Sequence, residues 1–376
     1  MHPANKYPVL RSLVKDFPPN HRMNFMLVMS ALLEVGAARS ISIAERLCVW
    51  LNILFQSALN RFYRFLGNHR FDELELTKRL LRLLSQRMGH RLLISIDWTE
   101  WHDDLRMLVA SVTCGKRAIP IYCAAFGKSK IPRSQNSREN AFLSVLDGAL
   151  KELGLEAIIF CDRGFRRASW LKKLEEKGLR YVVRLKSDVC VTPQGRPKIR
   201  LDEFGLRSGQ SVDLGRVKLR SDGVMDVRVD GVWQQGTKES WWMATNLRVG
   251  IRKLAAYYDR RMTIEEQFRD GKGCRFGVKL YWTQFKKPQH LGRMAMLVGV
   301  AIMLWTASGV AAAAEKPSLL FPHPTKGPRC SYVTIGLRAF MRISRRLKLS
   351  ARTVAQFLPK PLLRNFAWLP ARLETT

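Results

Sequence analysis

The chain has 376 residues, with 64 Lys+Arg against 31 Asp+Glu, a net charge of +33. An apolar fraction of 47% excludes a disordered basic tail protein. A charge this large repels itself without a polyanion, so nucleic acid or an anionic membrane is the expected class of partner.

At roughly 150 residues per domain, the length suggests two or three structural units. Seven widely spaced cysteines with no C-x-x-C pair argue against a disulfide framework and against a zinc ribbon. They read as small core residues in a chain made for a reducing compartment. The first residues show no charged-then-apolar signal pattern, so the expected location is the cytoplasm.

Residues 1–90 carry apolar residues at spacings of three and four over Met26–Leu33, Ala44–Leu59 and Leu74–Met88. This predicts a helical domain. With 13 Lys+Arg and 6 Asp+Glu, it is read equally well as a DNA-contacting unit or as packed helices with solvated faces. No certain helix-turn-helix is visible.

The pattern changes at residue 91. Arg91–Asp97 is a short apolar run ending in a carboxylate, and Met107–Thr113 and Ile119–Phe126 continue as a strand meander. Glu139–Leu153 predicts a helix stopped by Gly154. Ala157–Asp162 is a second buried strand ending in a carboxylate, followed by a helix over Ala168–Lys177 and a strand over Tyr181–Leu185. Three strands, helix, strand, helix, strand describe a mixed α/β layer fold with five strands.

Residues 187–247 are rich in Val, Gly and turns, with 9 Lys+Arg and 8 Asp+Glu, and predict a β-rich insertion. Residues 251–274 return to helix. Met294–Ala314 holds 21 residues without a charge, long enough to span a bilayer or to form a buried core helix. Residues 316–376 carry 12 Lys+Arg against one acid, Glu374, with an amphipathic basic helix expected over Arg338–Leu349.

Two strands finish on a bare aspartate, at Asp97 and Asp162. In layered α/β folds ligands gather at the carboxyl ends of strands. Each Asp alone is also read as a turn cap. Paired carboxylates repel unless a cation sits between them, and Mg²⁺ suits such a site. On the helix at 251–274, a step of about 100° per residue puts Tyr258, Arg261, Glu265 and Lys272 on one narrow face. That face suits a metal-bound phosphodiester, with Glu265 on the metal and Arg261 and Lys272 on phosphates. It is also read as a solvated face salt-bridged between Arg261 and Glu265.

Asp97, Asp162 and Glu265, spaced 65 and 103 residues apart with a β insertion before the last, resemble the acids of the DDE transposases of bacterial insertion sequences. The resemblance is to the cut-and-paste group marked by Tyr-x2-Arg-x3-Glu-x6-Lys, complete here as Tyr258, Arg261, Glu265 and Lys272. Ile96-Asp97-Trp98-Thr99, Cys161-Asp162-Arg163-Gly164-Phe165 and Trp241–Leu247 support it. It covers about residues 91–310.

The resemblance implies a ribonuclease-H-like catalytic core over 91–186 and 248–315, interrupted by the β-rich insertion at 187–247. Residues 1–90 would bind DNA ends, and 316–376 would form a basic helical C-terminal region. Asp97, Asp162 and Glu265 would hold two Mg²⁺ or Mn²⁺ ions, which activate water or a 3′-hydroxyl and stabilise the leaving oxygen. The implied reaction cuts element ends through a hairpin and joins them to target DNA. Tyr258, Arg261, Lys272 and Trp241 would contact DNA, Trp241 as the stacking surface for a flipped base. Trp241 and Trp242 are also read as alternating strand residues, one of them buried. Arg163 would bind DNA phosphate or pair with Asp162.

The implied partners are the terminal inverted repeats of the element, the target DNA and a second copy of the chain, with 331–358 as the contact. The implied location is the bacterial nucleoid, with no membrane. The alternatives are a catalytically inactive DNA-binding derivative of a transposase, and a basic protein anchored by Met294–Ala314.

Overall fold

The computed structural model describes residues 6–101, 104–130, 135–272, 278–316, 330–347 and 349–360. Cys274 and the end of the basic tail, 361–376, lie outside them.

The N-terminal helices are α1 (Pro8–Leu13), α2 (Pro19–Val35), α3 (Ser40–Leu51), α4 (Phe55–Gly67) and α5 (Glu73–Met88). The apolar run expected as one helix over Ala44–Leu59 is broken in two. Asn52 takes a left-handed φ of 49°, and its amide closes onto Cys48 O. That conformation is one that Asn tolerates better than most side chains.

The meander forms as β1 (Arg91–Trp101), β2 (Leu105–Cys114) and β3 (Arg117–Gly127). Then come α6 (Gln135–Glu152), β4 (Glu156–Cys161), α7 (Ala168–Glu176) and β5 (Arg180–Leu185). Within the insertion lie β6 (Cys190–Pro193), β7 (Ile199–Arg200), β8 (Ser211–Arg220), β9 (Val224–Val232) and β10 (Trp241–Thr245).

All ten strands join one mixed sheet in the order β3-β2-β1-β4-β5-β10-β9-β8-β6-β7. The five strands expected over 91–186 form one contiguous half. The difference is that β10 pairs antiparallel with β5, so the insertion extends that sheet. The open edge of β5 supplies the unpaired backbone groups that β10 satisfies.

The single helix expected at 251–274 is α8 (Ile251–Asp259), a 3₁₀ turn at Arg260–Met262 and α9 (Thr263–Lys272). The chain then enters α10 (Pro288–Glu315), followed by α11 (Tyr332–Leu347) and α12 (Ala351–Phe357). Helix α10 is long and apolar enough to cross a membrane, yet 94% of its most apolar window is buried within the protein. It packs on β3, α4, α11 and α12. At Gly309 and Gly336, α10 and α11 approach so closely that an added Cβ on Gly336 would lie 1.7 Å from Trp305 O.

One continuous apolar core runs from Tyr7 and Phe25 through β1–β4 and α10 to Leu358. The terminal helices are therefore built onto the sheet. A smaller, separate cluster lies on one face of the sheet: Leu93, Ile158, Phe160, Val182 and Met243 under Leu254, Ala255, Tyr257 and Tyr258 of α8.

Candidate active site

Residues alternate between the two faces of a strand. Because Leu93, Phe160, Val182 and Met243 face α8, Asp97, Asp162, Arg184 and Trp241 share that face. The parallel register finishes the placement. Ile96 pairs with Cys161 and Cys161 with Val183, so Asp97, Asp162 and Arg184 follow in step across three neighbouring strands.

Asp97 is not the last residue of its strand. β1 runs on to Trp101, paired with β2 through Asp97↔Val109 and beyond. Its parallel partner β4 stops at Cys161. Asp97 therefore sits where the parallel part of the sheet ends. Asp162 does cap a turn: one of its oxygens accepts from Gly164 N at 2.8 Å. A Cβ on Gly164 would lie 2.9 Å from that oxygen, so the glycine lets the turn close around the carboxylate.

Burial raises the Asp97 carboxyl most, and the charge of Asp162 adds to this. Arg261 and the Trp98 amide oppose, Glu265 pushes up again, and the result is about 7. Asp162 and Glu265 both act on Asp97, so the three acids share one electrostatic neighbourhood.

Arg261 stands between two of them. Its Nη1 donates to Asp97 Oδ2 at 3.2 Å and its Nη2 to Glu265 Oε1 at 2.8 Å. The arginine is 6% exposed, with its guanidinium 5.7 Å from the Tyr258 ring centre. The expected ion pair between Arg261 and Glu265 is thus present, and it is joined to Asp97. Tyr258 is buried, its phenol pushed up by burial, and its Oη has no hydrogen-bond partner among the described residues. Tyr258 meets the Trp241 ring edge-on at 5.5 Å.

Lys272 lies farther along β1. Its Nζ donates to Thr99 Oγ1 at 2.5 Å and to Glu100 O at 2.6 Å. Burial lowers its pKa, while Glu100 raises it. Thr99 shares a strand face with Asp97, so Lys272 joins the same side of the sheet. Trp242 is 1% exposed in the opposite core, against Phe204. The alternation leaves Trp241 half-buried beside Tyr258, with the Arg184 guanidinium 5.6 Å from its ring centre. Arg163 pairs with Glu239.

Sequence reasoning missed two supports. Glu139 is fully buried on the far face of the sheet. It accepts from Trp98 Nε1 at 2.7 Å and Gln135 Nε2 at 2.8 Å, and it also binds Arg167. It thus ties the residue after Asp97 to the loop after Asp162. A glutamate near the start of an amphipathic helix gives no sequence signal for this. Arg117 is the second support: it anchors α9 through Asp270 at 2.8 Å and Glu266 at 3.3 Å.

Among the described residues, no three His, Cys, Asp or Glu groups stand close enough to hold a metal ion as they are. The donor chemistry still fits a divalent cation. Asp97 and Asp162 are hard oxygen donors on and just after adjacent strands, and burial first, then the charge of Asp162, raises Asp97. Arg261 supplies part of the positive charge these acids require.

Residues 131–303 match the family model described as "Transposase DDE domain". Over that stretch, the chain is similar to the DDE transposases. The match takes in Asp162, Trp241 and the whole of Tyr258–Lys272, while Asp97 lies before it. No curated protein matches the chain.

Proposed function

We propose that the protein is the transposase of a bacterial insertion sequence of the Tyr-x2-Arg-x3-Glu-x6-Lys group. It cuts the element's ends, passes through a DNA hairpin and joins the ends to target DNA. The observation that carries this reading is the Ile96↔Cys161 register. It sets Asp97 beside Asp162 on the face that also holds Glu265 through Arg261, in a chain matching a transposase DDE domain.

Asp97, Asp162 and Glu265 are the proposed ligands of two divalent ions, Mg²⁺ or Mn²⁺. When bound, the metal lowers the pKa of water and stabilises the oxygen that leaves phosphorus. The chain's own residues orient the DNA. Arg261 and Lys272 neutralise phosphates near the cut, Tyr258 backs Arg261, and Trp241 offers its half-buried ring to an unstacked base. The reading treats 91–186 with 248–315 as a ribonuclease-H-like core and 187–247 as the insertion carrying Trp241.

The helices of 1–90 are the proposed reader of the inverted repeats. Helices α3 and α4 are joined by the three-residue turn Asn52-Ile53-Leu54, the layout of a helix-turn-helix. Helix α4 exposes Gln56, Ser57, Asn60 and Arg64. The active form is a dimer on two paired ends, working in the bacterial nucleoid. Helix α11 turns one side to α10 and exposes Arg338 and Arg342, which suits a contact bridged by DNA.

The test is cleavage of the inverted repeats flanking the coding sequence. Strand breaks at the repeats with Mg²⁺ or Mn²⁺, lost in Asp97→Ala and Glu265→Ala while DNA binding persists, support the reading. A wild-type protein that binds the repeats but never cuts them under either metal overturns it.

A further inference from the structure

Three observations converge at the edge of the acidic centre. Arg163 Nη1 lies 3.6 Å and Arg184 Nη2 lies 2.8 Å from the same oxygen, Glu239 Oε1. Two guanidiniums meeting at one anionic oxygen is the arrangement by which arginines hold a phosphate. Both arginines belong to the neighbourhood of Asp162. Arg163 follows Asp162 in sequence, and Arg184 is in step with Asp162 on the next parallel strand. The Arg184 side chain is 16% exposed and stacked over Trp241, so its guanidinium is held in place without Glu239. Glu239 itself is 54% exposed, on the turn leading into β10.

We propose that Arg163 and Arg184 form a seat for a DNA phosphodiester, and that Glu239 occupies this seat until DNA arrives. The inference rests on the DNA-cutting reading above. It adds an anion site, distinct from Arg261 and Lys272, for the strand whose base stacks on Trp241. A glutamate and a phosphodiester each carry one negative charge. The exchange therefore leaves the net charge of the seat unchanged, one anion between two arginines, before and after DNA binds.

The energetics favour the swap. A solvent-exposed ion pair is worth about 0–1 kcal/mol. A phosphate offers more acceptor oxygens than the one Glu239 presents to both arginines, and it arrives with other contacts along the strand. Glu239 thus offsets the repulsion between two close cations in the free protein and yields to DNA. Random anions must displace it without the aid of a stacked base.

The experiment is fluorescence anisotropy with a labelled duplex carrying a splayed end, comparing Glu239→Gln with Glu176→Gln. Glu176 is similarly exposed, sits on α7 and pairs with Lys173. Glu239→Gln is expected to tighten binding by a factor of up to about 5, the worth of roughly one exposed ion pair, and to do so more than Glu176→Gln. The gain should vanish in an Arg163→Ala or Arg184→Ala background; Arg163 is exposed, so its variant serves if Arg184→Ala folds poorly. Equal gains in the two Gln variants, or a gain that survives loss of both arginines, overturns the seat. A wild-type protein that binds the duplex but never cuts DNA instead overturns the underlying reading, and that result needs no variant.

Discussion

Arg261 and Asp97 stand 164 positions apart in sequence and meet at 3.2 Å, with Glu265 on the other side of the same guanidinium. Arg261 thus acts as an internal counter-ion for the acids. Arg261→Ala leaves a buried carboxylate uncompensated, and such losses cost about 3–5 kcal/mol. A lower melting temperature is expected, with part of the loss recovered on adding Mg²⁺. A variant that melts like the wild type, with no response to Mg²⁺, would show that the pair is only a surface contact.

The Asp97 carboxyl has a stability signature in pH. Its folded value is raised to about 7, against about 3.9 when unfolded. The folded state therefore holds its proton more tightly. The stability linked to that proton is full below about pH 4 and is lost as pH rises through about 7, a change on the order of a few kcal/mol. Asp97→Asn should flatten the fall in stability between pH 5 and pH 8, measured by denaturant unfolding. An unchanged slope counts against a raised Asp97 carboxyl.

Cleavage should show the same group from the other side. If Asp97 acts as a carboxylate, the rate at limiting Mg²⁺ rises through an inflection near pH 7. Higher Mg²⁺ competes with the proton and should move the inflection to lower pH. An inflection indifferent to metal would assign the titration elsewhere.

Glu139 holds Trp98 and Arg167, on the sheet face behind Asp97 and Asp162. Glu139→Ala leaves Arg167 without this partner and is expected to cost about 3–5 kcal/mol. Glu139→Gln keeps the size of the side chain and should cost less. Cleavage should fall in both, with DNA affinity retained. Full cleavage by a folded Glu139→Ala protein would remove its positioning role.

Gly336→Ala places a methyl group 1.7 Å from Trp305 O. Helices α10 and α11 must then separate along their contact, an overpacking cost of about 1–3 kcal/mol or more. Thermal unfolding measures it.

Much of this was legible in the sequence because it depends on local pattern. The strand runs around Asp97 and Asp162, the helix over Ala168–Lys177 and the buried run Met294–Ala314 are periodicity signals, and all four form elements. What escaped depends on partners distant in sequence. The extension of β1 to Trp101 requires β2, and the joining of the insertion to β5 requires an open sheet edge. The 3₁₀ turn at Arg260–Met262 interrupts a pattern that reads as one uninterrupted helix. The link from Glu139 to Trp98 bridges 41 positions. Spacing put Tyr258, Arg261, Glu265 and Lys272 on one helix face, and the family resemblance marked them as a signature, but neither showed that Arg261 would also reach Asp97.

The pairing of β10 with β5 has a mechanical consequence. Trp241, Arg184 and Asp97 belong to one hydrogen-bonded lattice, and Asp162 directly follows its strand β4, with no hinge between the ring that would receive a base and the acids that would cut beside it. A lattice of this kind is stiff. Any mismatch in length between base and scissile phosphate must then be absorbed by the nucleic acid. The sheet would serve as a gauge block, and the DNA would bend to fit it.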